Sequence, residues 1–266
     1  MRSTAIIVMA LLAALTACTE EQPAVRPHLA ALRAAERSTA AAHSVRVEST
    51  TAMGEELSIE AEGALDWQDE LVGTLTITYT GGTTAQTMRR LGVTSMEARY
   101  LPDAYYAHMG EKFAKQSGGR HWIRYAYDDL ADLGDGTGAT FAEQIRTSTP
   151  NQSVKLLLDC ADVRRIGEET VRGRRAVHYS GTVAVDDVAD AGLRRQLEQA
   201  GVTAQTVDLW VDDRGLLIKK AEKGELATGE LTQTAHYSDY GVRVSTEAPP
   251  AEDTQDFKEL LKKQGS

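Results

Sequence analysis

The stretch that decides the fold is LVGTLTITYT, residues 71–80. From Leu71 to Tyr79 every second position is apolar or glycine, and Val72 and three threonines stand between them. Successive side chains point to opposite faces of a β-strand, so this period of two gives one apolar face and one polar face. The stretch therefore predicts a strand of an antiparallel sheet that is wet on one side. Gly81-Gly82 predicts a turn at its end.

The same alternation recurs on both sides of this stretch. Leu57 to Leu65 and Val177 to Val185 each place apolar residues or glycine on one face. Turn residues separate the runs, as in the tight turn predicted at 212–215. The predicted strands cover 45–48, 57–65, 71–80, 85–92, 96–101, 104–109, 121–125, 163–168, 174–185, 204–212, 215–223 and 231–244.

Four segments change to the helical period. Pro27 and Pro150 stand where a helix can begin, because the first turn does not need their missing N–H. Gly201 is placed to end one helix, and Thr254 can cap another. The predicted helices cover 28–42, 150–159, 188–200 and 255–263. Many strands with few helices describe an α+β domain built on a large curved antiparallel sheet.

The N-terminus reads as a secretion signal. Arg2 is followed by an apolar run over 5–15 that is too short to span a bilayer stably. Leu15-Thr16-Ala17-Cys18 then matches the lipobox of bacterial lipoproteins at all four positions. Small residues before Cys18 let a signal peptidase reach the bond, and the thiol accepts diacylglycerol. The alternative is an ordinary signal peptide with an accidental cysteine.

This processing site divides the chain into a signal peptide over 1–17, a lipidated tether over 18–27 and a single domain over 28–266. The formal net charge of −10 argues against nucleic acid as a partner, because phosphate binding needs a basic face. Later apolar runs are shorter than a membrane span, so the acyl chains are the expected anchor. We expect the domain to lie on the extracytoplasmic face of the cytoplasmic membrane.

Enzyme signatures are missing from the sequence. It contains no nucleophile elbow, zinc-protease helix or phosphate loop. Six histidines lack the spacing of metal ligands: 28, 43, 108, 121, 178 and 236. We interpret them as surface residues or as strand residues whose hydrogen bonds are satisfied. Asp132 and Glu143 bound a window of calcium-loop length, but Thr137 replaces the required glycine. We expect no enzymatic activity, no metal and no cofactor.

Two further features have competing interpretations. Cys160 is interpreted as a small apolar core residue, with a nucleophile beside His178 as the alternative. Five arginines cluster on two adjoining strands and their turn: Arg164, Arg165, Arg172, Arg174 and Arg175. They are interpreted as a solvated face paired with Glu168 and Glu169, or else as a contact for anionic lipid headgroups.

The lipobox, tether, N-terminal helix and long meander together resemble the actinobacterial LppX/LprG-type lipoproteins with a LolA/LolB-like fold. Two stretches strengthen the likeness. Residues 171–182 resemble that family's strand after a V-x-G turn, and residues 209–216, LWVDDRGL, are similar to its W-V-D-x-x-G-x-L hairpin. The likeness covers about 28–245. The helix at 255–263 departs from it and could cover a cavity mouth or a sheet edge.

The resemblance implies a half-barrel whose concave face, partly covered by helices, holds the acyl chains of a lipid or lipoglycan. The apolar strand faces and the low aromatic content of 6% suit a wide cavity lining, although the same faces could pack solidly on the helices. The candidate lining residues are Leu57, Ile59, Leu75, Ile77, Val177, Tyr179, Val183, Leu209 and Val211.

The function expected from the sequence is therefore that of a membrane-anchored envelope lipoprotein that binds and carries a lipid or lipoglycan without catalysis. The alternative is an envelope sensor or adaptor that binds a protein partner on the same sheet and has a solid core.

Overall fold

A computed structural model of the protein describes residues 27–133, 137–199, 201–226 and 229–264. Its strands form one twelve-stranded sheet in the order β12-β6-β5-β4-β3-β2-β1-β11-β10-β9-β8-β7. All neighbouring strands are antiparallel except β12 and β6, which are parallel. The strands are β1 Ser44–Met53, β2 Leu57–Asp66, β3 Val72–Gly81, β4 Ser95–Tyr100, β5 Ala104–His108, β6 Trp122–Ala126, β7 Arg164–Val171, β8 Arg174–Ala184, β9 Ala204–Asp212, β10 Leu217–Leu226, β11 Gly229–Ser238 and β12 Thr254–Asp256.

Eight α-helices are described alongside the sheet within those ranges. They are α1 Pro27–Ala41, α2 Gly82–Arg90, α3 Gly110–Ala114, α4 Tyr127–Ala131, α5 Thr137–Arg146, α6 Pro150–Leu158, α7 Ala191–Gln199 and α8 Phe257–Gln264. The four predicted helices correspond to α1, α6, α7 and α8. None of the described helices is both long and apolar enough to cross a membrane. The predicted signal over 1–17, Cys18 and the tether up to residue 26 lie outside the described residues.

The strand predicted over 85–92 is wrong, because this segment is helix α2. Gly82 adopts a positive φ of 84°, which turns the chain sharply at the end of β3. A β-carbon at this glycine would lie 2.5 Å from the carbonyl oxygen of Glu56, so the turn is tight as well. Ala85 is fully buried and Met88 is half-buried one turn later, which fits the helical period. The segment 85–92 has only three apolar positions, Ala85, Met88 and Leu91, so the sequence offered few positions to distinguish the helical period from the strand period.

The last predicted strand, 231–244, is too long, since β11 ends at Ser238. Asp239 has a φ of 48° and Gly241 a φ of 82°, so the backbone turns out of the sheet there. Tyr240 holds the turn in place, because its hydroxyl donates to the carbonyl oxygen of Leu217 over 2.6 Å. Residues 242–250 then have no regular secondary structure.

This C-terminal segment, residues 239–264, crosses from the middle of the sheet to its far edge. The hydroxyl of Ser44 in β1 donates to the carbonyl oxygen of Val242, and Arg99 in β4 donates to that of Glu247. The chain then pairs as β12 beside β6, and Phe257 in α8 packs on Tyr125 with ring centroids 4.7 Å apart. This placement fits the second of the two roles considered for the C-terminal helix, covering a sheet edge, because β12 pairs with the edge of β6.

His121 contacts two carboxylates, one of them in the C-terminal segment, and these contacts make the attachment of the segment sensitive to pH. The Nδ1 atom of His121 lies 2.6 Å from Oδ1 of Asp253, and its Nε2 atom lies 3.3 Å from Oε1 of Glu111. The hydrogen bond to Asp253 is the main reason why the pKa of His121 is raised above its usual value of 6.5. The same hydrogen bond lowers the pKa of Asp253 below 3.8.

We therefore expect the C-terminal segment to loosen as the pH rises through the raised pKa of His121. A histidine with a raised pKa contributes stability below its unfolded pKa and loses it as the proton leaves. The carboxylate of Asp253 contributes stability above its unfolded pKa, and this contribution is lost as the pH falls through its lowered folded-state pKa. Hydrogen-exchange protection of the β12 amides, corrected for intrinsic rates, measures the effect. His121→Gln should remove the pH dependence of this protection above pH 6.5. If protection fell equally with pH in the parent protein and in His121→Gln, the prediction would be wrong.

Candidate ligand-binding face

The face of the sheet that the helices cover is called the inner face. Helices α1 and α6 pack against each other; α1 contacts β10, and α6 contacts β8, β9 and β10. Side chains from these elements form one apolar cluster with the strands beneath them. Its fully buried members include Leu32 of α1, Leu157 of α6 and, on the strands, Val45, Leu209 and Leu217. This half of the inner face is packed solidly.

Most of the remaining inner face is buried too, but its end at the turn between β1 and β2 is only partly covered. Strand register places six apolar side chains there, near the turn between β1 and β2 and on the adjoining strands. We call them the open inner face: Met53, Leu57, Ile59, Ala61, Tyr79 and Leu231. All six are half-buried, whereas Val45, Val47 and Leu65 further along the same strands are buried. An apolar surface of this kind is incompletely removed from water.

A polar group lies on the inner face beside this apolar surface. Lys220 of β10 contacts the hydroxyl of Ser153 in α6 at 3.0 Å and a carboxylate oxygen of Glu222 at 3.2 Å. The amide of Gln205 in β9 donates to the other oxygen of Glu222 over 3.1 Å. The side chains of Lys220 and Glu222 are 14% and 12% exposed. An ion pair held this far from water needs such extra hydrogen bonds to be tolerated.

The nine residues predicted to line a cavity all lie on the inner face. Six are buried in the apolar cluster: Leu75, Ile77, Tyr179, Val183, Leu209 and Val211. Ile59 and Val177 pack against the cluster half-buried, and Leu57 is also half-buried. Leu57 and Ile59 belong to the open inner face. That these nine residues line a lipid cavity stays a prediction.

Sequence reasoning missed Lys220 and Glu222 as inner-face residues. Their strand contains a register shift between Leu217 and Lys219, which is a β-bulge. Without the bulge, Lys219 would share the inner face with Leu217, and Lys220 would point outwards. Instead the ammonium of Lys219 lies 3.9 Å from the ring centroid of Trp210 on the outer face. The sequence carried no signal for the bulge. Four residues of the open inner face were also missed: Met53, Ala61, Tyr79 and Leu231. The last three lie within predicted strands, whereas Met53 lies beyond the strand predicted over 45–48, because β1 continues to Met53.

Cys160 and His178 do not form a catalytic pair. Cys160 follows the end of α6 and is buried in the apolar cluster against β8, and burial raises the pKa of its thiol to about 12. His178 lies on the outer face, stacked on Trp210 with centroids 4.3 Å apart. Its two ring nitrogens each lie 2.8 Å from a carboxylate, those of Glu169 and Asp208. The core interpretation of Cys160 fits this placement.

We expect the Cys160 thiol to be inert in the folded protein. A thiol with a pKa near 12 is almost entirely protonated at pH 8, and the thiolate is the reactive form. Titration of the Cys18→Ser protein with a thiol-specific chromogenic reagent should release no colour until denaturant is added. Rapid labelling of the native protein would contradict this.

The arginine cluster is largely paired. Arg165 contacts Glu168 at 3.1 Å, and Arg172 reaches Glu48 on β1 at 2.9 Å. Arg174 pairs with the buried carboxylate of Asp212. The expected pairing with Glu168 is present, whereas Glu169 instead accepts hydrogen bonds from Trp210 and His178. Ion pairing therefore occupies three of the five arginines proposed as a lipid-headgroup contact.

Among the residues that the structure describes, no three histidine, cysteine, aspartate or glutamate side chains come together as a metal site. In the window resembling a calcium loop, Glu143 lies within helix α5, and residues 134–136 lie outside the described ranges.

The class of fold is that of two mycobacterial lipoproteins. The crystal structure of LppX from Mycobacterium tuberculosis matches with a TM-score of 0.54 and 14% identity, over 84% of this chain and 100% of LppX. LprF from Mycobacterium bovis matches with a TM-score of 0.51 and 15% identity, over 84% of this chain and 97% of LprF. The α+β half-barrel with helices on its concave face is thus confirmed.

Sequence comparison then gives the family. The Streptomyces coelicolor protein named "Putative lipoprotein SCO4650" is 65% identical over 240 residues, which cover 90% of this chain and 79% of that protein. A 31.2 kDa protein encoded between rplA and rplJ in Streptomyces griseus is 49% identical over 249 residues, covering 90% and 82%. No protein-family model matches the chain. The chain belongs to the family of this Streptomyces lipoprotein.

Proposed function

We propose that this protein is a membrane-anchored, non-enzymatic lipoprotein that binds the acyl chains of a lipid or lipoglycan on its inner face. The observation that supports this most directly is the open inner face, where six apolar side chains stay half-buried beside a packed core. Apolar surface left partly in water is stabilised when another apolar group covers it. The relationship to a named lipoprotein and the LppX-like fold support the same proposal.

The net free energy of moving a lipid from the bilayer to the protein is expected to be small, which suits a carrier that must also release its lipid. Each methylene loses about 0.8 kcal/mol when it leaves an apolar environment for water. Acyl chains that move directly from bilayer to the open inner face remain in an apolar environment, so the transfer has a small net free energy. The direction of transport would then depend on which partner takes the lipid next.

Mass spectrometry of the purified Cys18→Ser mature chain from its native host tests the proposal. We expect a co-purifying lipid, and we expect a fluorescent fatty-acid probe to bind the lipid-stripped protein. Absence of both would overturn the proposal. A stable protein partner in a cross-linked pull-down, together with no lipid, would favour the envelope adaptor.

The anchor gives a separate prediction. If Cys18 is the acylated residue, cells fed an alkyne-labelled palmitate should incorporate the label into the native protein but not into Cys18→Ser. Cys160→Ser is the matched control, because it removes the chain's other cysteine and should keep the label. Label retained by Cys18→Ser would show that the lipobox interpretation is wrong.

A further inference from the structure

A row of polar side chains crosses the inner face directly beside the open inner face. Thr51 of β1 lies opposite Gln233 of β11, and Gln233 lies opposite Glu222 of β10. We call these three half-buried residues the polar row. Ile59 of the open inner face lies opposite Thr51 on its other side, so the apolar and polar side chains form one continuous surface. Because neighbouring strands lie about 4.8 Å apart, one lipid can contact Ile59 and the whole polar row.

Thr51 and Gln233 keep hydrogen-bonding capacity that the described residues do not use. One amide N–H of Gln233 donates to the hydroxyl oxygen of Thr51 over 3.2 Å. Within the described ranges this is the one hydrogen bond of either side chain, so the hydroxyl proton of Thr51 and the second N–H and the oxygen of the Gln233 amide remain free. Both residues are half-buried rather than enclosed, so a ligand on the inner face can reach these groups.

The charged side chains at the end of the polar row neutralise each other. Both carboxylate oxygens of Glu222 are occupied, one by the ammonium of Lys220 at 3.2 Å and the other by the amide of Gln205 at 3.1 Å. The ammonium of Lys220 also contacts the hydroxyl of Ser153 at 3.0 Å. The ion pair has no net charge, so an anionic group on the polar row would find the cation already paired and would approach the carboxylate of Glu222.

The polar row therefore discriminates among the chemical groups of a lipid. A plain hydrocarbon chain over Thr51 and Gln233 would take their free donors and acceptor out of water without partners, which is unfavourable. An ionised carboxylate would lie near Glu222 without a cation of its own. A neutral carbonyl group avoids both costs, because it is uncharged and its oxygen accepts hydrogen bonds from the Thr51 hydroxyl and the Gln233 amide.

We propose that the polar row binds the neutral carbonyl group, of an ester or an amide, that joins an acyl chain to the rest of the lipid. This inference rests on the proposed function, because it assigns a second part of the ligand whose acyl chain lies on the open inner face. Thr51 and Gln233 contact the carbonyl oxygen. Glu222 opposes ionised lipids by neutralising Lys220. The ligand is thereby held in one orientation, with its chain towards Ile59 and its carbonyl group towards β11.

Fluorescence titration of the lipid-stripped Cys18→Ser mature chain tests the proposal with matched probes. These are a pyrene-labelled palmitic acid, its methyl ester, its N-methylamide and the hydrocarbon of the same length. Thr51→Val and Gln233→Leu should each weaken binding of the ester or the amide by roughly fivefold, the loss of about one hydrogen bond, and should leave the hydrocarbon affinity unchanged or higher. The carbonyl probe that responds identifies the linkage as ester or amide. Thr50→Val is the matched control, because Thr50 is exposed on the outer face, and it should change no affinity.

Glu222→Gln tests the role of charge in the same assay. It removes the carboxylate that neutralises Lys220, so the palmitic acid probe, ionised at about pH 8, should bind roughly tenfold more tightly, while the ester affinity changes less than about twofold. Circular dichroism checks that each variant is folded, and Thr51→Val and Gln233→Leu decide the matter if Glu222→Gln does not fold.

The outcomes separate this inference from the acyl-binding proposal. If no probe binds the parent protein, both are wrong. If the probes bind but the ester, the amide and the hydrocarbon respond alike to Thr51→Val and Gln233→Leu, the polar row does not bind the carbonyl group. An unchanged affinity of folded Glu222→Gln for the ionised probe would likewise contradict the selection against anions. In these last two cases the acyl-binding proposal stands.

Discussion

Replacing Ile59 by lysine should abolish acyl-chain binding and leave the protein folded. Ile59 lies in the middle of the open inner face and is half-buried, so its side chain would contact a bound chain directly. A lysine there must either lose its hydration against the ligand or keep water in the site, and burying an unpaired charge costs several kcal/mol. We expect affinity for a fluorescent fatty acid to fall on the order of 100-fold or more.

Glu60→Lys provides the matched control. Glu60 is the next residue of the same strand, is exposed and points to the outer face, so the substitution places the same ammonium on the other side of the sheet. Its affinity for the probe should stay near that of the parent protein. Circular dichroism and thermal unfolding should show that both variants are folded. Equal probe affinity in Ile59→Lys and the parent would place the acyl site elsewhere.

The architecture of the sheet could be predicted from local pattern because its strands are long and wet on one side. LVGTLTITYT forms β3 almost within its predicted bounds, and Leu75 and Ile77 are buried as the alternation requires. The alternation of apolar and polar residues gave a wrong prediction where apolar positions were few, as in α2. It also failed where positive φ angles at Asp239 and Gly241 ended β11, because nothing in the alternation signals a turn at Ser238.

The candidate site was only half accessible to sequence reasoning. Alternation shows which residues share a face, so Leu57 and Leu209 were correctly placed on one side of the sheet. It does not show how far a helix covers that face. Leu209 is fully buried beneath α6, whereas Leu57 stays half-buried, and the difference arises from tertiary packing over many residues. The polar pair of Lys220 and Glu222 depends on a single bulge that shifts their strand by one position.

Gly63→Ala should destabilise the fold more than most single substitutions. Gly63 lies in the middle of β2, opposite Leu75 of β3 and Val47 of β1, and it adopts a φ of 156°. A β-carbon there would lie 2.1 Å from the carbonyl oxygen of Thr74, a backbone atom of the neighbouring strand. The strands must separate or the backbone must change conformation, and strain and overpacking of this kind together cost about 3 kcal/mol or more.

Gly167→Ala is the control for this substitution. Gly167 also lies within a strand, β7, but a β-carbon there meets no atom within 4 Å, and its φ lies outside the left-handed region. Because alanine reduces the entropy of the unfolded chain, the free energy of unfolding should stay level or rise by a few tenths of a kcal/mol. Urea denaturation of both variants measures the difference. If Gly63→Ala unfolded at the same urea concentration as Gly167→Ala, the close approach of β2 and β3 at Gly63 would be wrong. The register that places Leu57 and Ile59 beside Tyr79 on the open inner face would then need revision too.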